Sequence, residues 1–198
     1  REITAYSPDG TANSVIQNVT SNDLVCRAAD GYFTDPNNKR VYYVDAALNT
    51  RVVDTGIEFP NGLALSPDQT LLYVADMRGQ FAYSFQIQPD GSLAYKQPFF
   101  HLHVGFGQKQ TSADGMTVDT EGRLYIATDL GVQVCDQPGR VHLIIKKPQD
   151  AWLANIVFGG KDRDTLYATS ADKVFKRRLN AKGLFPAEGP SKPPRPSL

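Results

Sequence analysis

Pro60-Asn61-Gly62-Leu63-Ala64-Leu65-Ser66-Pro67-Asp68-Gln69-Thr70-Leu71-Leu72-Tyr73-Val74-Ala75-Asp76 holds the plan of the whole chain in seventeen residues. A polar turn pair, Asn61-Gly62, leads into the short apolar run Leu63-Ala64-Leu65. Ser66 to Thr70 are turn formers, and Leu72-Tyr73-Val74-Ala75 is an aromatic, β-branched run that ends on an aspartate. Short apolar runs bounded by such turn chemistry read as strands, because a helix needs a longer stretch with a 3.6-residue period.

Outward from this stretch the same plan recurs. Apolar starts stand at Leu24-Val25-Cys26, Leu63-Ala64-Leu65, Met116-Thr117-Val118 and Ile156-Val157-Phe158, with spacings of 39, 53 and 40 residues. Aromatic second strands follow at Tyr32-Phe33-Thr34, Leu72–Ala75, Leu124–Ala127 and Leu166–Thr169. Third strands follow at Arg40–Val44, Phe81–Phe85, Val132–Val134 and Lys173–Lys176. The long middle spacing holds an extra segment, Gln88 to Thr111. A repeat of roughly 40–50 residues built from about four strands is a β-propeller blade. A sandwich also spaces its strands regularly, but it does not require one polar lead-in to recur at blade length. The expected fold is therefore all-β, a partial propeller over residues 1–183 with about four blades visible, followed by a Pro-rich tail over 184–198. That tail is expected to be extended or disordered.

Composition narrows the partners. The 198 residues carry 21 Lys and Arg against 21 Asp and Glu, so no global field gathers nucleic acid or anionic membrane. No apolar run approaches the ~20 residues of a membrane span. Neither nucleic acid nor membrane is expected as a partner. Two cysteines, Cys26 and Cys135, are too few for a disulfide framework or a thiolate metal site, and are expected to be buried free thiols. The chain begins at Arg1 inside a strand-like pattern, so a preceding segment is expected and the compartment is left open.

In a propeller the innermost strands border a central channel, and the loops leading into them converge at one mouth. Those lead-ins are Ser21-Asn22-Asp23, Pro60-Asn61-Gly62, Ala113-Asp114-Gly115 and Leu153-Ala154-Asn155. Side-chain oxygens gathered there suit a hard divalent cation. Each pair alone is also ordinary turn chemistry, and Asn22 reads equally well as an Asx turn. His101-Leu102-His103 puts two imidazoles on one strand face, with substrate contact the minority reading and a polar strand edge the default. Trp152 reads as inter-blade packing, with substrate stacking as the lesser reading. Asp35, Asp76 and Asp129, at strand ends, read as turn holders.

Together, Asn22-Asp23-Leu24-Val25, Pro60-Asn61-Gly62-Leu63 through Asp68, Asp114-Gly115-Met116-Thr117-Val118-Asp119 and Phe158-Gly159-Gly160 resemble the gluconolactonase family, the sugar-lactone lactonases related to regucalcin. The resemblance implies a six-bladed propeller, one divalent cation in the channel, calcium first and Zn, Mg or Mn as alternatives, and hydrolysis of a small-molecule sugar lactone. It implies Asn61 and Asp114 as metal ligands, Asp114 as the acid/base residue, and Asn22 beside the substrate; His101 and His103 stand as further substrate-contact candidates on strand geometry alone. The family's third ligand, an N-terminal glutamate, has no counterpart here. Glu188-Gly189-Pro190 looks like that motif but lies in the Pro-rich tail and is not assigned. Thr20 stands where the family's sugar-lactone enzyme carries arginine, which leaves the lactone open. The alternatives are a related propeller hydrolase of another ester or phosphotriester, a non-catalytic binding scaffold, and a fragment inert on its own.

Overall fold

A computed structural model describes residues 2–196. The strand-like start at Arg1 and the tail residues Ser197 and Leu198 lie outside them. Strands β1 (Glu2–Tyr6) and β2 (Ala12–Gln17) form a two-stranded hairpin. Four blades follow, each an antiparallel meander. The first is β3 (Leu24–Cys26), β4 (Gly31–Asp35), β5 (Arg40–Val44) and β6 (Thr50–Thr55). The second is β7 (Pro60–Leu65), β8 (Leu71–Asp76), β9 (Phe81–Ile87) and β10 (Leu93–His101). The third is β11 (Met116–Val118), β12 (Leu124–Thr128), β13 (Gly131–Cys135) and β14 (Val141–Ile145). The fourth has three strands, β15 (Leu153–Gly159), β16 (Thr165–Ser170) and β17 (Lys173–Arg178). The described residues form no helix long and apolar enough to cross a membrane.

The cores lie between blades. Tyr32, Val41 and Ile57 pack on Leu63, Leu72 and Phe85 between blades one and two. Tyr73, Ala82 and Phe100 pack on Met116, Leu124 and Ile126 between two and three. Tyr125 and Val134 pack on Leu153, Ile156 and Phe158 between three and four. This explains why β4, β8, β12 and β13 are buried almost throughout. A middle strand with a blade on each side has no solvent face on which polar alternation could appear.

The segment from Gln88 to Thr111 contains the fourth strand of blade two, followed by a loop. Its polar residues and Pro98 fit an outermost strand, which needs no hydrogen bonds on its outer side. His101 is the last residue of β10 and His103 lies beyond it, so the two imidazoles do not share a strand face. Cys135 is buried as expected, whereas Cys26, at the end of the short inner strand β3, is exposed.

Among its described residues the Pro-rich segment forms no ladder, the preceding Gly183 making a single bridge to Asp119, but it is docked. Leu184 packs on the core between blades two and three, and its N–H reaches the Val118 carbonyl at 3.0 Å. The Gln69 side chain donates to the Pro186 carbonyl at 2.7 Å, and the Ser191 N–H to that of Pro67 at 2.7 Å. The Gly183 N–H also donates to the Arg163 carbonyl at 2.8 Å; Val118 ends an innermost strand, and Pro67 and Arg163 follow the C-terminal ends of two others. The tail therefore crosses the end of the channel opposite the polar lead-ins. Glu188 pairs with Arg163 at 2.5 Å at that far end.

Candidate functional site

Three of the four lead-ins are held in place by one repeated device. Asp35, the last residue of β4, accepts from the Thr20 hydroxyl at 2.6 Å. Asp76, the last of β8, accepts from the Phe59 N–H at 3.1 Å. Asp129, just past β12, accepts from the Ser112 hydroxyl at 2.6 Å. In the first three blades the carboxylate at the top of the second strand catches the loop entering the first; in the fourth, the Ala171 N–H holds the Trp152 carbonyl instead. The expected turn holders are thus what aims the channel-mouth residues.

Leu24, Leu63, Met116 and Ile156 occupy one register, which puts Asn22, Asn61, Asp114 and Ala154 in a second and Asp23, Gly62, Gly115 and Asn155 in a third. The third register sets the spacing around the axis. A Cβ on Gly62 would stand 2.1 Å from the Asp114 carbonyl oxygen, and one on Gly115 would stand 2.1 Å from Asn155 Oδ1. Only glycine lets the neighbouring lead-in come so close. Asp23 and Asn155 behave alike in this register: each accepts the next residue's N–H, Leu24 to Asp23 Oδ1 at 2.9 Å and Ile156 to Asn155 Oδ1 at 2.8 Å. Asp23 also spans two blades, because its Oδ2 accepts the Leu63 N–H at 3.1 Å.

Asn61 is buried, at 3% exposure. Its carbonyl accepts from the Thr34 hydroxyl at 2.8 Å, and its Nδ2 faces the Met77 sulfur at 3.3 Å, a weak acceptor. Its Oδ1 is buried with no partner. Asp114 lies against it. The indole N–H of Trp152 donates to Asp114 Oδ2 at 3.1 Å. Burial pushes the Asp114 carboxyl up to about 6, and the charge of Asp23 adds to that rise. The Trp152 N–H bond pulls it down in part, and the neighbouring Asn61 side chain acts in the same direction. Asp23 is likewise raised by burial, against the lowering effect of the Leu63 and Leu24 N–H groups.

The structure thus brings Asn61 and Asp114 together, with Asp23 close enough for its charge to act on Asp114. Two carboxylates that disfavour ionisation and an amide oxygen without a donor form a site short of positive charge. Such hard oxygen donors fit a divalent cation of the calcium type. Among the described residues no three His, Cys, Asp or Glu side chains gather in a way that could hold a metal, so amide oxygens and water would complete any coordination.

Other expected residues fall elsewhere. Asn22 is exposed and lines a separate groove with Thr20, Pro36 and Phe59; its N–H is bonded to Thr34 at 2.8 Å. The Thr20 hydroxyl is engaged by Asp35. His101 stacks on Phe81 with centroids 4.9 Å apart and faces Gln80 at 3.3 Å. His103 is bonded through its backbone to Gln133. Neither imidazole is hydrogen-bonded to the Asn61–Asp114 pair. Beside the pair, a groove of about 660 Å³ runs along the innermost strands from Asp23 and Asn155 down to Phe185 and Pro186.

Four radial blades with an acidic, amide-rich channel mouth define the chain as part of a β-propeller. The chain belongs to the SMP-30/Gluconolactonase/LRE-like region family, whose family model matches residues 3–172. A 6-deoxy-6-sulfogluconolactonase of Pseudomonas putida is 30% identical over 166 residues, covering 75% of this chain and 56% of that relative. A lactonohydrolase of Aspergillus oryzae is 26% identical over 190 residues, covering 93% of this chain and 40% of that one. A solved gluconolactonase from Xanthomonas campestris superposes with a TM-score of 0.76 at 26% identity, over 90% of this chain and 65% of that structure. The chain spans about half the length of the curated relatives it matches.

Proposed function

We propose that this chain carries the channel site of a divalent-cation-dependent lactone hydrolase, opening a ring lactone of the sugar type to its hydroxy acid. The observation that carries the reading is a buried Asn61 amide with a partnerless Oδ1, its side chain adjoining an Asp114 carboxyl raised to about 6. Asn61 and Asp114 would hold the cation, with Asp23 supplying negative charge next to them. When bound, the cation polarises the lactone carbonyl and offsets the charge developing on its oxygen.

The chain's residues account for the proton transfers. Asp114 would act as the base: its carboxyl is raised to about 6 in the cation-free chain, and a bound cation would draw it lower and keep it ionised at neutral pH. Trp152 holds Oδ2, so the carboxylate is oriented and its other oxygen can accept a proton from the attacking water. The water oxygen bonds to the carbonyl carbon, the ring C–O bond breaks, and Asp114 returns the proton to the departing ring oxygen. Neutral Asn61 adds an oxygen donor without adding charge, so the cation keeps its pull on the carbonyl. With Thr20 tied to Asp35, that position offers no cationic group to a sugar hydroxyl or acid, and recognition falls to the channel mouth.

The test is hydrolysis of D-glucono-1,5-lactone followed by acid release, with Ca, Mg, Mn or Zn added in turn after chelation. Turnover should depend on the cation, and Asp114→Ala should lose at least ~100-fold in kcat while remaining folded. Retained turnover in that variant refutes the assignment. A panel of aryl esters and phosphotriesters separates the related hydrolase reading, and absence of turnover on every substrate supports the scaffold.

A further inference from the structure

We infer that Trp152 is the substrate platform of the channel mouth, positioning Asp114 through its indole N–H while offering its open ring face to a C–H face of the lactone. The inference rests on the lactonase reading and adds the element that receives the ring. Trp152 directly precedes the innermost strand β15, and its backbone is fixed by the Ala171 N–H, which donates to the Trp152 carbonyl at 3.0 Å. From there the side chain reaches across to the third blade's lead-in, where its N–H meets Asp114 Oδ2 at 3.1 Å.

The sequence reading of Trp152 as inter-blade packing does not hold. The core between blades three and four is made by Tyr125, Val134, Leu153, Ile156 and Phe158, with Trp152 absent from it. Trp152 instead remains 40% exposed. An indole has one donor, and here it is used on the candidate base, so the remaining surface is an apolar plane beside the reacting group. Ring lactones of sugars have faces of axial C–H groups between their hydroxyls, and such faces match an aromatic plane. His101 and His103, on the outer strand and its loop, offer no comparable surface next to Asp114.

Trp152 is the single tryptophan of the 198 residues, so intrinsic emission reports on this position alone. The experiment titrates the full chain in calcium chloride with D-gluconate, the product acid, and follows tryptophan emission. Separately, kcat and KM for D-glucono-1,5-lactone are measured in Trp152→Ala and Trp152→Phe, with circular dichroism confirming the fold. The expected result is a saturable shift of emission to shorter wavelength. Trp152→Ala should raise KM about fivefold, the value of a lost aromatic contact. Trp152→Phe keeps the face without the donor, so its KM should return to within about twofold of wild type while kcat falls about tenfold, the cost of freeing Asp114. A purely structural role would not split KM from kcat in this way. Emission unmoved by gluconate together with wild-type constants in both variants overturns the proposal. If the wild type opens no lactone, the activity reading fails; a saturable emission change then still supports Trp152 as a ligand platform, and its absence overturns that as well.

Discussion

Asp114→Asn should make the cation-free protein more stable at neutral pH while abolishing turnover. At pH 7 the wild type holds an ionised carboxylate in a site that favours the neutral form, its midpoint lying at about 6 instead of the ordinary 3.8. Roughly two pH units at about 1.4 kcal/mol each amount to ~3 kcal/mol. The carboxyl is partly open to solvent at the channel mouth, which reduces this to ~1–2 kcal/mol. Because the folded-state value lies above the unfolded one, the native state binds more protons between about pH 4 and pH 6, and this group's contribution to stability is lost as pH rises through that window. Asparagine keeps the shape, can still accept the Trp152 N–H through its carbonyl, and does not ionise. Urea unfolding followed by circular dichroism in chelator should therefore show Asp114→Asn ahead by ~1–2 kcal/mol at about pH 7.5, with the gap closing near about pH 3.5. Adding calcium should stabilise the wild type and not the variant. A variant less stable than wild type at both pH values would refute the reasoning, because the carboxylate would then be a structural anchor.

Gly115→Ala should destabilise by ~1–3 kcal/mol, since the new methyl meets Asn155 Oδ1 at 2.1 Å, and thermal unfolding checks it. Asp23→Asn should lower the Asp114 midpoint of the cation-free protein below about 6, because the Asp23 charge is one of the groups raising it, and an NMR titration of the carboxyl in chelator checks it. Asp23→Ala should cost ~1–3 kcal/mol by leaving the Leu63 N–H unpaired between blades, measured by urea unfolding. Asn61→Leu replaces the orphaned oxygen with an apolar group of similar volume. Its melting temperature in chelator should match or exceed wild type, while the rise in melting temperature on adding calcium should vanish.

Blade order and the first three strands of each repeat were legible because turn pairs and aromatic runs are local signals. The fourth strand of blade two was not, because Lys96, Gln97 and Pro98 read as loop residues; an outermost strand tolerates them where an inner one would not. Nor did alternation reveal which strands are central, since β8 and β12 are covered on both faces. At the site, Asn61 and Asp114 could be named from the resemblance and the recurring lead-in. Asp23 and Asn155 were missed because they stand in the glycine register, and their part emerges only once Gly62 and Gly115 let the blades approach. The available signal was that Asp23 and Asn155 are polar where the other two repeats carry glycine. Trp152 was misread because an aromatic beside a strand usually enters a core, and its hydrogen bond to Asp114 depends on a neighbour 38 residues away. Asn22, in register with Asn61 and Asp114, lies exposed beside another groove, since a shared register fixes the backbone and not where a side chain finds space.

The central claim is that Asn61 and Asp114 share one divalent cation at the channel mouth. Anomalous diffraction from crystals grown with manganese tests it directly, since Mn²⁺ prefers the same oxygen donors and scatters anomalously. A single strong peak within about 2.6 Å of both Asn61 Oδ1 and an Asp114 carboxylate oxygen is the predicted result. A manganese peak bound elsewhere on the protein, with density at Asn61 and Asp114 showing water alone, would contradict the account.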